Sequence, residues 1–331
     1  MPRVTPTHLP ELHQIALPTP FAVGDVNVCV IEGDPLTLID CGVNTPESFD
    51  ALCEGLAVLG HHIEEVGQII LSHHHVDHLG AVGRVVAASG AEVAAHPYTV
   101  PYVEMPQAKR IRNRNFIEVA FLQGGVPQAV LDAIEATEDY YVSLMGIAQV
   151  SRTLDEGDSV SLAGRNWSVL HTPGHAGGLL CLFEPETRVL LSSDHILKQV
   201  SSNPLIEAPD PGQKRPRRLL DYMHHLARVA ALNPAIAYTG HGDPVEDVPT
   251  LVRDRLAAHH ARADKILSKF EGQSRTLYEM TQLMFPKVPA SNAYLTLSEV
   301  VGHFDLLEVE GRIARDMQHG VVYWRPVGEN P

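Results

Sequence analysis

The sequence predicts an α/β protein, and three observations support this class. Short runs rich in β-branched residues end in polar residues, as buried strands do at the rim of a sheet, and residues 66–70 are the clearest example. Segments with helical spacing follow several of these runs. A chain of 331 residues with 44% hydrophobic residues can also bury a sizeable core, as one large or two moderate domains.

Composition and charge exclude several classes of protein. The net charge of −15 disfavours an extended phosphate-binding face, because nucleic-acid affinity depends on Lys and Arg that neutralise phosphates. We find no signal-peptide pattern, no apolar run near the roughly 20 residues of a membrane span, and four cysteines too scattered for a disulfide framework or a metal knuckle. A cytoplasmic protein without a membrane partner is therefore expected.

The segments before residue 66 predict strands and one helix. Residues 1–20 are rich in proline and predict an irregular lead-in strand, and residues 26–40 predict two strands joined by a tight turn. Residues 45–59 have helical spacing, with Thr45 as the N-cap and proline at the first helical position.

One stretch concentrates residues that can bind metal. Residues 71–80 read Leu-Ser-His-His-His-Val-Asp-His-Leu-Gly and follow a predicted strand. His73 and His75 are two apart, so an extended or tightly turned backbone can aim both imidazoles at one point, while Asp77 and His78 begin a helix predicted to end at Ser89. Imidazole and carboxylate are ligands that divalent Zn, Mn, Fe or Co accept. A solvated loop that happens to be rich in histidine is the alternative.

Residues 99–150 interrupt the alternation of strands and helices. The segment has mostly helical spacing and carries a basic cluster, Lys109, Arg110, Arg112 and Arg114. We expect a helical insertion that covers the metal cleft and shapes substrate access. A packing subdomain whose basic residues are only solvated is an equally good interpretation.

The second half of the chain contains further strands that end in polar residues. Two of them lead to Thr172-Pro-Gly-His175, where proline and glycine force a sharp turn. Another pair ends at Asp194, and a helix and a short buried strand lead to Gly240-His241-Gly242. A second basic cluster precedes that helix and could meet an anionic substrate, although a solvated helix start is commoner: Lys214, Arg215, Arg217 and Arg218.

Together these motifs resemble the metallo-β-lactamase superfamily, with a glyoxalase II-like core. His73-x-His75-x-Asp77-His78 is similar to its His-x-His-x-Asp-His signature, and the elements ending in Asp40, His175, Asp194 and His241 occur in the expected order. The resemblance implies an αββα sandwich of two mixed β-sheets flanked by helices. It places this catalytic domain at residues 1–250.

Residues 251–331 resemble the winged-helix appendage that a subset of this superfamily carries. They would form a helical linker and a small winged-helix-like α+β domain. From Arg255 onward, 9 Lys or Arg accompany 9 Asp or Glu, so this segment is not basic. DNA binding is therefore disfavoured, and packing or dimerisation is the better interpretation.

The resemblance also implies a set of metal ligands for two divalent cations. His73, His75 and His175 would bind one cation and Asp77, His78 and His241 the other, with Asp194 shared between them. Zinc is the first expectation, and Mn²⁺ and Fe²⁺ tolerate the same ligands.

Asp40 would orient the metal-binding loop without binding metal, and His96 would lie outside the ligand set. The chain departs from the family pattern at Ser193, where glycine is usual before the shared carboxylate.

The function implied is hydrolysis by a hydroxide that the cations activate. We expect a small ester, thioester or lactone as substrate, with an anionic substrate and a homodimer left open. Asp77 is the candidate catalytic residue, because a ligand carboxylate with a free oxygen could take or return a proton. The alternatives are an endoribonuclease or phosphodiesterase of the same superfamily and a metal-binding or redox module without hydrolytic activity.

Overall fold

The structure is a computed structural model that describes residues 2–328. Within these residues, two mixed β-sheets pack face to face and helices cover both outer faces. The αββα arrangement that the resemblance implies is therefore confirmed. Among the helices of the described residues, none is both long and apolar enough to cross a membrane.

The first sheet has seven strands within residues 2–328, and they pair in chain order. They are β1 (Arg3–Pro6), β2 (Leu12–Leu17), β3 (Val26–Ile31), β4 (Leu36–Ile39), β5 (Val66–Leu71), β6 (Glu92–Ala95) and β7 (Arg152–Thr153). β1 to β4 pair antiparallel, whereas β4 to β7 pair parallel. The parallel strands consequently direct their carboxyl ends to one edge of the sheet, where the histidine-rich stretch begins. The lead-in segment forms two strands instead of the single irregular one predicted.

Helices α1 (Pro46–Val58), α2 (Val76–Leu79) and α3 (Val82–Ser89) cover the outer face of this sheet. As predicted, Thr45 caps α1: its Oγ1 accepts a hydrogen bond from the Ser48 N–H at 3.2 Å. The single helix predicted over residues 77–89 is wrong, because the helix is interrupted at Gly80. The Gly80 carbonyl accepts from the Gly146 N–H at 2.7 Å, and the N–H of Arg84 turns to Ala81 instead.

The segment predicted as an insertion contains α4 (Val100–Glu104), α5 (Pro106–Gln123) and α6 (Gln128–Ser143). The second sheet follows, with β8 (Ser159–Leu162), β9 (Arg165–His171), β10 (Leu180–Glu184), β11 (Val189–Ser193) and β12 (Ile236–Thr239). β11 and β12 are parallel and are connected through α7 (Arg218–Ala231), whereas the other pairs are antiparallel. Between the two sheets lies an apolar core that includes Ile70, Trp167 and Leu182.

The C-terminal segment contains α8 (Val248–Ser268), α9 (Leu277–Met284) and α10 (Ala293–Val309), followed by a hairpin of β13 (Ile313–Gln318) and β14 (Val321–Pro326). One core cluster joins these helices to the insertion and to α7, and it includes Phe121, Tyr222 and Phe304. The C-terminal segment thus packs against the outer layer of the second sheet. A domain boundary at residue 250 and a winged-helix assignment stay predictions.

Candidate metal centre

The residues of the candidate centre follow the ends of strands from both sheets. The histidine-rich stretch follows β5 of the first sheet, and Asp194 and His241 follow the parallel strands β11 and β12 of the second. His175 lies on the turn between β9 and β10. Because the two sheets are stacked, these strand ends lie next to each other at one edge of the sandwich.

Three imidazoles form what we name the first ligand group, His73, His75 and His175. Nε2 of His73 lies 3.1 Å from Nδ1 of His75, and the His175 ring is centred 4.5 Å from the His75 ring. One nitrogen of each ring lies within 4.8 Å of the others, a spacing that could hold a metal ion.

Asp77, His78 and His241 form the second ligand group, which meets the same distance criterion. Oδ2 of Asp77 lies 3.2 Å from Nε2 of His241, and the two imidazole rings are centred 5.5 Å apart. All three side chains are buried.

Asp194 lies between the two ligand groups. Its Oδ2 is 3.4 Å from Nε2 of His175 in the first group and 3.6 Å from Nε2 of His241 in the second. Its Oδ1 is 3.5 Å from Nε2 of His78. The structure therefore brings together all seven side chains that the sequence indicated, from positions up to 168 residues apart (His73 to His241).

Hydrogen bonds behind the site orient four of the five rings. In each of these rings, Nδ1 lies 2.8–3.0 Å from an oxygen of the surrounding protein. The pairs are His73 with Ser72 Oγ, His78 with Asp40 Oδ2, His175 with the Asn203 carbonyl and His241 with the Asp25 carbonyl. With the proton on Nδ1, each ring directs the Nε2 lone pair towards the centre, which is the arrangement of metal-binding histidines.

Unsatisfied polar atoms show that this donor set fits a cation. Among the described residues, Nε2 of His78, Nε2 of His175 and Oδ1 of Asp194 are buried without a hydrogen-bond partner. Buried polar groups are rarely left in this state. Imidazole nitrogens and carboxylate oxygens converging without other partners are the ligands that divalent transition metals bind.

The electrostatics of the centre also favour positive charge. Burial lowers the pKa of each ring in the first ligand group, so these imidazoles are neutral, as metal ligands must be. Burial opposes the ionisation of Asp194, but the rings of His78 and His241 hold its pKa below the usual value. Asp77 has a lowered pKa for the same reasons. Burial lowers the pKa of His78 and of His241, but the neighbouring carboxylates outweigh it and raise both pKa values. The carboxylates of the centre therefore favour positive charge close to them.

Asp40 holds the metal-binding loop from behind. Its carboxylate accepts hydrogen bonds from the N–H and the Oγ of Ser72, each at 2.7 Å, and from Nδ1 of His78 at 2.8 Å. The residue has a φ of +67°, a left-handed conformation that Asp tolerates better than most residues. Its contacts are those of a residue that orients ligands, as the resemblance implies.

The turn before Asp194 forms although Ser193 stands where the family usually has glycine. Ser193 adopts a φ of +44°, and its Oγ lies 2.8 Å from Oγ of Ser72 on the opposite sheet. The hydroxyl therefore connects the two strand ends. Glycine is required instead at Gly240, where a Cβ would collide with the carboxylate of Asp194.

Sequence reasoning did not identify Glu207, whose buried carboxylate contacts two side chains beside the first ligand group. Nε2 of His74 lies 3.3 Å from Oε1 of Glu207, and Arg218 contacts the other carboxylate oxygen of Glu207 through Nε at 2.7 Å and Nη2 at 2.6 Å. Burial opposes ionisation of Glu207, but Arg218 and His74 hold its pKa well below the usual range. Glu207 lies in the irregular segment between β11 and α7, where no periodicity could have indicated it.

His96, expected outside the ligand set, lies in a separate group with Asp155 and His171. The two rings stack with centroids 3.9 Å apart, and Nε2 of His96 lies 3.3 Å from Oδ1 of Asp155. Nδ1 of His96 accepts from the Tyr98 N–H at 3.0 Å, so Nε2 carries the proton and offers no lone pair to a cation. Burial lowers the pKa of His96 to about 4. These contacts favour a structural role.

A cavity of about 410 Å³ opens beside the two ligand groups. Its lining includes ligand-group residues and side chains from α5, α6 and α10. The helices of residues 99–150 therefore form part of the wall next to the candidate centre. The C-terminal segment contributes to the same wall.

Most of the basic residues that the sequence singled out are paired within the chain. The pairs are Arg110 with Asp139, Arg112 with Asp210, Arg114 with Glu135, Arg215 with Asp305, Arg217 with Glu308 and Arg218 with Glu207. The ammonium group of Lys109 lies 4.4 Å from the centre of the Tyr98 ring, a cation–π contact. These contacts disfavour binding of an anionic substrate by either cluster, and the paired side chains are not merely solvated, as the alternative interpretations assumed.

Comparison with known sequences agrees with this geometry. The family model described as the metallo-beta-lactamase superfamily matches residues 22–241, which include all seven side chains of the centre. A probable metallo-hydrolase of Bacillus subtilis, YqjP, is 35% identical over 312 residues, which cover 94% of this chain and 96% of that protein.

Solved structures share the fold over nearly the whole chain. The metallo-beta-lactamase family protein TTHA1429 from Thermus thermophilus superposes with a TM-score of 0.82 and 29% identity, over 96% of this chain and 100% of that chain. A beta-lactamase domain protein from Burkholderia ambifaria superposes with a TM-score of 0.80 and 22% identity, over 97% of this chain and 93% of that chain. Because nearly all of this chain is covered, both likenesses extend into the C-terminal segment.

Proposed function

Since the chain belongs to the metallo-β-lactamase superfamily and is a hydrolase, we propose that it is a dinuclear metal-dependent enzyme that cleaves a small ester, thioester or lactone. The observation that carries the proposal is the convergence of two ligand groups on one shared carboxylate, Asp194. The first ligand group would hold one divalent cation and the second ligand group the other. Zinc is the proposed metal, with manganese or iron as alternatives.

Bound divalent cations would supply Lewis acidity and would lower the pKa of a coordinated water to roughly 7. The protein's own residues fix the donor atoms before any metal or substrate arrives, through the four Nδ1 hydrogen bonds and the contacts of Asp40. Such preorganisation favours catalysis because the polar groups need not rearrange during the reaction.

Asp77 is the proposed proton carrier. Its carboxylate lines the cavity and is held ionised by the neighbouring rings of His78 and His241 although burial opposes this. An ionised carboxylate next to the reacting atoms can accept a proton and return it to the leaving group.

We predict that Asp77→Asn lowers kcat at least about 100-fold, as loss of a general base does, because the amide cannot accept the proton. Steady-state kinetics and metal content, measured by mass spectrometry on the same preparation, separate this role from metal binding. Asp254→Asn, on the exposed surface of α8, is the control. A variant Asp77→Asn with full metal content and full turnover would remove the catalytic role.

The lining of the cavity argues against the nuclease alternative. Binding of RNA depends on basic residues that are available to phosphates. Arg110 and Arg114, the arginines in the cavity wall, form ion pairs with carboxylates of α6. A neutral or weakly charged small substrate suits this wall better.

The test removes metal with a chelator and restores Zn²⁺, Mn²⁺ or Fe²⁺ separately. Ester, thioester and lactone panels and single-stranded RNA are then assayed, and metal content per chain is measured by mass spectrometry. We expect two ions per chain and metal-dependent cleavage of an ester, thioester or lactone. RNA cleavage alone would establish the nuclease alternative, and bound metal without turnover would establish a non-hydrolytic module. The cytoplasmic location and the homodimer stay predictions from the sequence.

A further inference from the structure

The cavity beside the candidate centre has a two-part lining. One part belongs to the ligand groups, including His75, Asp77 and Asp194. The other part comes from the insertion helices and from the start of α10, which are far from the centre in the sequence. The volume of about 410 Å³ lies in the range of small-molecule pockets, so it leaves room beyond the reacting bond.

The part of the wall away from the ligand groups is rich in apolar side chains. They include Ile117, Leu131, Ile134, Val142, Leu205 and Leu295. Ile117, Leu131 and Ile134 are 6–9% exposed and belong to the core that supports the wall, whereas Leu295 is 44% exposed. The rigid core thus presents an apolar surface to the cavity, and an apolar ligand would remove this surface from water.

The two arginines in this wall are already paired with carboxylates. Arg110 is paired with Asp139 and Arg114 with Glu135, which also connects α5 to α6. Both lining arginines therefore have partners among the described residues. A carboxylate or phosphate at the far end of a substrate would therefore meet arginines that carboxylates of α6 already engage, and it would lose its hydration without gaining an ion pair there.

We propose that the cavity binds an apolar acyl chain, so that the enzyme acts on esters or thioesters of medium-chain apolar acids. This inference rests on the proposed function, because it assigns the acid part of the same substrate. The scissile carbonyl lies at the ligand groups, and the hydrocarbon chain lies along the wall formed by α5, α6 and α10. An acyl group as short as acetyl would leave that wall in contact with water.

The test compares substrates and ligands that differ only in chain length, on the full chain loaded with metal. Acetyl and octanoyl thioesters are compared by kcat/KM, and acetamide and octanamide, which carry no ester bond, are compared by calorimetric titration. We expect an octanoyl preference of at least about ten-fold in both measurements, because every buried CH₂ group strengthens binding.

Two variants fill the cavity from different sides, Val142→Trp on α6 and Leu295→Trp on α10. Val119→Trp is the matched control, since Val119 is 55% exposed on α5 and is not part of the cavity lining. We expect both cavity variants to lower the octanoyl-to-acetyl ratio of kcat/KM at least about ten-fold. The control leaves the ratio unchanged. Leu295 is a partly exposed position, so its variant tests the proposal even if Val142→Trp fails to fold.

The outcomes separate this inference from the proposed function. Hydrolysis with equal kcat/KM for both chain lengths overturns the acyl-chain proposal and leaves the hydrolase proposal intact. Octanamide binding that both cavity variants weaken, without cleavage of any ester, thioester or lactone, supports the apolar ligand and overturns the proposed function. Octanamide binding no tighter than acetamide binding overturns the acyl-chain proposal, whatever the enzyme cleaves.

Discussion

Asp40 belongs to neither ligand group, but its side chain orients residues of the metal-binding loop. Through its carboxylate it holds both the backbone of Ser72 and the ring of His78, so one side chain fixes the loop and the tautomer of a ligand. Residues in this position tune metal affinity because they set the direction of the lone pairs.

We predict that Asp40→Asn weakens metal binding about 10–100-fold, as substitutions of such supporting partners do. Asparagine keeps the size of the side chain and tolerates the positive φ, so the change acts mainly through the lost charge and the lost acceptor. Competition with a chromogenic chelator measures the affinity without recourse to activity. Asp316→Asn, on the exposed strand β13, serves as the control. Equal affinities of wild type and Asp40→Asn would contradict the role.

At the scale of single elements, α8 and α10 meet through buried histidines. Nδ1 of His259 on α8 lies 3.4 Å from Nε2 of His303 on α10, and its Nε2 lies 3.4 Å from Oγ of Ser201. Burial, with a smaller effect from His303, lowers the pKa of His259 to about 3. The packing of these helices therefore depends on a neutral ring.

This lowered pKa predicts how stability changes with pH. Between about pH 6.5, the unfolded value, and about pH 3, the unfolded chain binds a proton at His259 and the folded chain does not. The free energy of unfolding therefore decreases as the pH falls through this window. We predict that wild type loses about 2 kcal/mol more stability than His259→Gln between pH 7 and pH 5.

Urea denaturation at the two pH values measures this difference. His260→Gln is the matched control, because His260 is the next residue of the same helix and its side chain is 52% exposed. The control should lose as much stability on acidification as the wild type. An equal loss in wild type and His259→Gln would show that the ring is protonated in the folded state.

At the scale of the whole molecule, the C-terminal segment and the catalytic core share one apolar cluster. Phe304 of α10 is 2% exposed, and its ring is centred 5.8 Å from Phe270 and 4.8 Å from Trp324. The same cluster contains Tyr222 of α7 and Phe121 of α5. Parts that share a core are expected to unfold together.

We predict that Phe304→Ala lowers the free energy of unfolding by about 3–5 kcal/mol and shifts a single transition. The two tryptophans make this measurable, because Trp167 lies between the sheets and Trp324 lies in the C-terminal hairpin. Trp167→Phe and Trp324→Phe each leave one fluorescent reporter, and circular dichroism follows the whole chain. Separate fluorescence transitions would show that the predicted boundary at residue 250 divides two independently stable domains.

The sequence could indicate the seven side chains because each stands in a short motif at the end of a strand. Chain direction and turn residues are local properties, and parallel strands necessarily bring their ends to one edge. The N-cap and the first residue of α1 could be predicted for the same reason, since capping acts within one turn of helix. The break at Gly80 could not, because the partners that replace the helical hydrogen bonds there, Gly146 for the Gly80 carbonyl and Gly42 for the Ala81 N–H, are distant in the sequence.

The sequence by itself thus determined the fold class, and its motifs, through their resemblance to a known family, determined the family and the candidate ligands. Only the tertiary structure decided which partners the basic residues have, how Glu207 is neutralised and which side chains line the cavity. Arg110 and Arg218 look like available cations in the sequence, but packing gives them carboxylate partners 29 and 11 residues away. Pairing and burial depend on neighbours that folding brings together, and no local pattern of residues encodes those neighbours.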